Sequence, residues 1–185
     1  MKTLVKNITS IQTGIFAKPA GSGEVVYLQS RHFDEYGQLL ASLHPDLIAD
    51  GISEKHLLKD GDVLFAAKGV KNFAAVYESH NEPAVASTSF FVIRLTAKKV
   101  LPEYLAWFLN SHPTQAILKA QAIGTSIASI SKVVLEGLEI TVPSIETQKA
   151  ILQITNLRNK EKALRQKIET LREKQIQQQI MNAIK

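Results

Sequence analysis

The chain has 185 residues, 45% hydrophobic and 21% charged, which suits one globular domain with an appendage and is too short for two full domains. It has no cysteine, which excludes disulfides, thiolate metal sites and cysteine nucleophiles and fits the reducing cytoplasm in which the protein is expected. The net charge is +5, but residues 1–145 carry 13 basic and 13 acidic side chains and residues 146–185 carry 9 and 4, so the excess that would seek a polyanion lies in the tail and the body is formally neutral.

The opening MKTLVKNITSIQTG lacks the unbroken apolar region of a signal peptide, and no apolar run is long enough to cross a bilayer. Short strands are expected at residues 24–29, 62–67, 74–78 and 89–95, each rich in β-branched or aromatic residues and bounded by Gly, Pro, Asn or Asp. Residues 39–43 are a further strand candidate, and residues 45–58 are read as holding a short helix. The pattern changes at Pro102, where Tyr104, Leu105, Phe108 and Leu109 fall at helical spacing behind a helix-starting proline. A second helix is expected after His112-Pro113, a short one capped by Gly124, Thr125 and Ser126, and a last strand over 138–142 that ends at Pro143.

The tail follows a heptad. Thr147, Ile154, Glu161, Ile168 and Gln175 fall at a, and Ala150, Leu157, Leu164, Leu171 and Gln178 at d, with no Gly or Pro to interrupt. A helix over residues 147–185 spans about 58 Å, more than a small domain absorbs, so it is read as reaching a partner helix through Ile154, Leu157, Leu164, Ile168 and Leu171. The reading is thus an α+β (mixed) domain over 1–145, followed by a long C-terminal coiled-coil helix over 146–185.

Five chemistries can be tested against the residues. In LLKDGDVLFAAKGV, Asp60 and Asp62 are two apart, but no His or further carboxylate follows at ligand spacing, so Lys59-Asp60-Gly61-Asp62 is read as a turn and no metal site is expected. The loop AAKGVKNF has one glycine and strand-like residues after it, unlike a phosphate loop. No lysine has an acid two residues before it, as a metal-dependent restriction-nuclease core requires. Methyl transfer to bases would need a glycine-rich cofactor loop and usually a Pro-Pro motif, and neither occurs. The five histidines sit in polar, loop-like contexts and no Gly-x-Ser-x-Gly is present. The chain is therefore expected to be non-catalytic and to carry no cofactor. What remains is a set of loop tips: Lys18 in FAKPAGSG, Arg31 in SRHF, Lys68, Lys71 and Asn72 in AAKGVKNF, and Ser87 and Thr88 in VASTSF. Arg, Lys and Asn read base edges, and Ser and Thr bond phosphates and bases alike. Singly each is an ordinary solvated residue; on one face they would recognise DNA. Thr125 and Ser126 open a helix whose free amides suit a phosphate oxygen.

The ordered set resembles the specificity subunits of type I restriction–modification systems. Gly61-Asp62-Val63-Leu64 matches the family's turn and strand. Tyr104, Leu105, Phe108, Leu109 and Ser111 match its helix, and Gly124-Thr125-Ser126 its Gly-Thr/Ser loop. Leu135, Leu138, Ile140, Val142, Pro143, Glu146, Gln148 and Ile151 match its closing segment. The resemblance implies a target recognition domain that binds double-stranded DNA, a spacer helix, and partners in the form of a methyltransferase subunit and a restriction/translocase subunit. Family members typically carry two such domains and two helices; this chain has one of each, so the resemblance implies a half-subunit that pairs as a homodimer on a bipartite target. The neutral body suggests an alternative, an interaction protein that binds a methyltransferase or an intact specificity subunit through its helix without reading DNA.

Overall fold

The computed structural model describes residues 1–34, 37–40, 43–69, 72–79, 83–122 and 129–184, and the chain divides into two units, Met1–Gln148 and Lys149–Lys185. The described residues of the first unit form eight short strands: β1 (Lys2–Leu4), β2 (Thr9–Thr13), β3 (Val26–Leu28), β4 (Val63–Ala66), β5 (Ala74–Val76), β6 (Ala84–Ala86), β7 (Phe90–Leu95) and β8 (Glu139–Thr141). Helices α1 (Pro102–Asn110), α2 (His112–Ala120) and α3 (Lys132–Glu136) lie between β7 and β8, and α4 (Ile145–Ala183) follows. The class is mixed α+β with a long C-terminal helix, as the sequence suggests.

Every residue of β4, VLFA, is buried because β4 lies inside an antiparallel sheet of order β2-β7-β4-β5. Leu64 sits between Val92 and Ala75, and Phe65 between Phe91 and Ala74. A strand covered on both faces needs apolar residues at every position instead of every second one. One face of this sheet packs on the parallel pair β3-β6, where Leu64, Ala66, Ala75, Phe90 and Val92 meet Val26, Leu28, Ala84 and Ala86. Phe33, Phe73 and Phe90 close that layer with ring centroids 5.6 to 6.0 Å apart. Helix α1 packs against β4 and β5. Period-two alternation puts Val25, Tyr27 and Val85 on the other face of β3-β6, where they cluster with Leu47, Ile15 and Ala17.

The turn at Asp60-Gly61-Asp62 is built from its own sequence. Gly61 has φ +82°, which favours glycine. The Asp62 amide donates to the Lys59 carbonyl at 2.9 Å, and the Lys59 amide returns a bond to Asp62 Oδ2 at 2.8 Å. Arg94 on β7 donates to both carboxylate oxygens, Nε to Oδ1 at 2.7 Å and Nη2 to Oδ2 at 2.6 Å. Asp60 Oδ1 accepts the Ser79 amide at 3.1 Å. Both aspartates thus serve the turn.

Some segments differ from the sequence reading. The helix expected within 45–58 is absent; a single 3-10 turn at Glu54–His56 is all that is helical there. The Asp46 and Leu47 amides donate to the Val25 carbonyl, and the Glu24 and Val25 amides donate to the Leu47 carbonyl, so this stretch is held extended beside β3. The 39–43 candidate reduces to one bridge between Leu39 and Phe33, residues 41 and 42 lying outside the described residues. Ser131 caps α3, its hydroxyl accepting the Val134 amide at 3.3 Å; Gly124, Thr125 and Ser126 lie outside the described residues. Strands β1, β2 and β6 have no counterpart among the expected elements.

Ser144 starts α4, its hydroxyl accepting the Thr147 amide at 3.3 Å. Gln148, fully buried, accepts the Leu101 amide at 2.9 Å and donates to the Lys99 and Pro143 carbonyls at 2.8 and 3.0 Å. In the second unit the chain is helical to Ala183, and from Asn156 on every described residue is exposed. The 39 residues of α4 extend about 58 Å. Among the described residues no helix is long and apolar enough to cross a membrane.

Candidate nucleic-acid interface

The four-stranded sheet and the parallel pair β3-β6 finish at a common rim. In the four-stranded sheet Thr13 pairs with Phe91 and Ala66 with Phe90, so β2 and β4 leave beside the point where β7 enters. The Ala66 amide donates to the Phe73 carbonyl at 2.8 Å, which brings the start of β5 to the same end. In the parallel pair Leu28 lies beside Ala86, and the Ser87 amide donates to the Leu28 carbonyl at 2.8 Å. The Gly14 amide reaches the Phe90 carbonyl at 3.0 Å and the Ile15 amide the Ala86 carbonyl at 2.8 Å, which stitches the two ends together. Glycine is required at Gly14, because a Cβ there would collide with the carbonyl oxygens of Ser87 and Ala86.

Three of the candidate residues meet at this rim with side chains that reach solvent. Lys68 follows β4 and is exposed. Its backbone bridges Ser129, while the neighbouring Ala67 donates to the Ser89 carbonyl at 2.9 Å and accepts the Ile130 amide at 2.9 Å. Arg31 is exposed in the 3-10 turn Ser30–His32 that follows β3. Thr88 is half-buried in the turn between β6 and β7. These tips stand on backbone fixed by sheet hydrogen bonds, the kind of preorganised support that a recognition surface needs.

The others are placed differently. Ser87 is buried and its hydroxyl lies 2.6 Å from that of Ser89, so it fastens the turn and does not reach out. Asn72 is half-buried and its Nδ2 donates to the Ala66 carbonyl at 2.8 Å, closing its own loop. Lys18 is exposed, but the Ala20 amide donates to the Asp46 carbonyl beside Val25, so its segment runs back along β3 away from the rim. Lys71, Thr125 and Ser126 lie outside the described residues.

Behind Arg31, the His32 ring accepts the Gln29 amide at Nδ1, 3.3 Å away. Burial lowers the imidazole pKa from its usual value and the Arg31 charge lowers it further, with Asp46 partly opposing. His32 therefore adds no positive charge to the rim at neutral pH. Among the described residues no three His, Asp or Glu side chains come together as a metal site.

Sequence reasoning missed Arg94 and Phe16, and named Gln148 only as part of the family resemblance without its role. Arg94 and Gln148 carry buried polar bonds whose partners are far along the chain. Phe16 is the one aromatic side chain that is exposed among the described residues; its signal was the alternation Ile15-Phe16-Ala17, in which the flanking residues pack inward.

The sequence matches the family described as type I restriction modification DNA specificity domain over residues 48–181. The fold is similar to that of the S subunit of a type I restriction-modification system from M. genitalium, at 15% identity and TM-score 0.61, covering 86% of this chain and 39% of that one. It is similar to the HsdS subunit from Thermoanaerobacter tengcongensis, at 19% identity and TM-score 0.65, covering 90% of this chain and 44% of that one. A third similar structure, at 14% identity and TM-score 0.65, comes from work on complex assembly and conformational transition of the type I R-M system, and the match covers 88% of this chain and 39% of that one. At these identities the likeness is one of fold, and the chain spans about two fifths of the length of these three structures. No curated protein matches.

Proposed function

Because the chain belongs to the type I restriction modification DNA specificity family, we propose that residues 1–145 are a target recognition domain that reads one half of a split duplex target, and that residues 146–185 are a spacer helix. The observation that carries this reading is the meeting of Lys68, Arg31 and Thr88 on one rim of fixed backbone. Cations there would hold phosphates, and the neighbouring polar groups would read base edges. Lys71, Asn72, Thr125 and Ser126 belong to the same proposal through their loops, and Lys18 through its exposed flank.

A two-fold-related second copy would supply the other half-site, with the helices packed antiparallel through an isologous contact. The exposed row Ile154, Leu157, Leu164, Ile168 and Leu171 supports that pairing. Methyl transfer and cleavage would come from a methyltransferase subunit and a restriction/translocase subunit that assemble on this chain in the cytoplasm. The chain itself would contribute recognition and no catalytic group.

Selection of bound sequences from a random duplex pool, by the chain together with its methyltransferase, tests this. The expected result is a motif of two short blocks at a fixed separation. The neutral body favours one other reading, in which the helix docks on a methyltransferase and DNA is not read. A chain that binds the methyltransferase yet enriches no sequence would select that reading.

A further inference from the structure

Phe16 is 77% exposed, yet its backbone is held on both sides. Ile15 bridges Ser87, its amide donates to the Ala86 carbonyl at 2.8 Å, and its own carbonyl accepts the Tyr27 hydroxyl at 3.0 Å. The Ala17 amide donates to the same hydroxyl at 3.3 Å. Ile15 and Ala17 pack into the cluster of Val25, Tyr27, Leu47 and Val85. In extended chain, alternate residues point to opposite sides, so packing the two neighbours inward turns the Phe16 ring outward.

The ring's surroundings say what it suits. Phe16 follows the Ile15–Ser87 bridge and so stands beside the Ser87–Ser89 turn of the rim. The next exposed residues along the chain are Thr13 before it and Lys18 after it. A docked protein helix would want a contiguous apolar patch, whereas a single exposed aromatic ring flanked along the chain by Thr13 and Lys18 suits a ligand that is charged on its outside and offers flat π-faces inside. Nucleic acid is that ligand, because phosphates take the cations and a base step takes the ring.

We propose that Phe16 is an apolar wedge of the DNA-facing rim that stacks on a base step and sets the sequence preference there. This rests on the DNA-recognition reading above, and the experiment separates the two. Phe16→Ala and Phe16→Trp are made in the full chain, with the methyltransferase present; the ring is exposed, so both variants should melt as the wild type does. The probes are a labelled random-sequence duplex and the duplex that the wild type enriches. Phe16→Ala should bind the enriched duplex about five- to a hundred-fold more weakly. The salt slope should not change, because a phenyl ring neutralises no phosphate. Tryptophan emission of Phe16→Trp should be quenched by the enriched duplex, while that of the wild type, which has Trp107 alone, should not. Equal affinity and equal preference in Phe16→Ala and wild type would overturn the wedge and leave the rim reading standing. Loss of methyltransferase binding with DNA binding intact would overturn it in favour of a protein contact. A wild-type chain that binds neither duplex would overturn both readings.

Discussion

Arg94 and Asp62 lie 32 residues apart and hold the turn before β4 to the strand beside it. Asp62 is 2% exposed, so its charge is tolerable only because a forked guanidinium and a backbone amide satisfy it. Arg94→Ala should cost about 3–5 kcal/mol in urea unfolding, since it strands a buried carboxylate. Arg94→Lys should recover only part, because one ammonium cannot repeat the Nε and Nη2 geometry. The hydrogen bond to Asp62 also keeps the Arg94 guanidinium above its ordinary pKa. His32 gives a pH effect of definite sign. Its folded pKa lies below the usual 6.5, chiefly through burial and then through the Arg31 charge. The unfolded chain therefore takes the proton first, and stability should fall as pH drops through 6.5 toward the lower folded value. Proton NMR titration of the imidazole checks this, and Arg31→Ala should move the midpoint upward.

At the scale of elements, the start of α4 is fastened by one side chain. Gln148→Ala would leave the Leu101 amide and the Lys99 and Pro143 carbonyls without the buried side chain that satisfies them. A cost of about 1–3 kcal/mol is expected, read as an earlier thermal transition of the body. Farther along, α4 is a helix whose apolar row is exposed, Leu157 by 59% and Leu164 by 61%. Covering a leucine is worth roughly 1.5–3 kcal/mol, so Leu157→Lys with Leu164→Lys should abolish self-association while circular dichroism keeps its helical content. Light scattering decides this, and a wild-type chain that stays monomeric at micromolar concentration with the methyltransferase present removes the homodimer.

At the scale of the molecule, a body with no net charge places two of its exposed cations, Lys68 and Arg31, at one rim. Because that rim is made of strand ends, its residues divide by what they hold. Lys68→Ala should weaken binding to all duplexes alike and lower the salt slope by about one, the signature of a lost phosphate contact. Ser87→Ala should instead lower stability and leave the choice of sequence unchanged, because its buried hydroxyl pairs with Ser89. Asn72→Ala should loosen the loop closed on Ala66 and so act on Lys68 indirectly. Binding curves on enriched and random duplex at several salt concentrations, beside melting curves, separate the three.

By itself the sequence determined what local chemistry can carry. Gly61 and its two aspartates make a turn, Pro102 opens a helix, an unbroken apolar run becomes β4, and a stretch without Gly or Pro becomes α4; the order of these signals also revealed the family. Only the tertiary structure decided what depends on distant pairing. The alanines of β6 have little strand preference of their own, and the segment is a strand because β3 lies beside it and Ala84 and Ala86 pack into the layer between the sheets. Leu47, expected in a helix, is drawn out along Val25. Ser87 points inward and Phe16 outward because the register of β6 and of the chain after β2 selects the face, and a shift of one residue would exchange the two. Which loop tips share a rim follows from the same registers, and long-range pairing of this kind leaves no mark in a single short window of sequence.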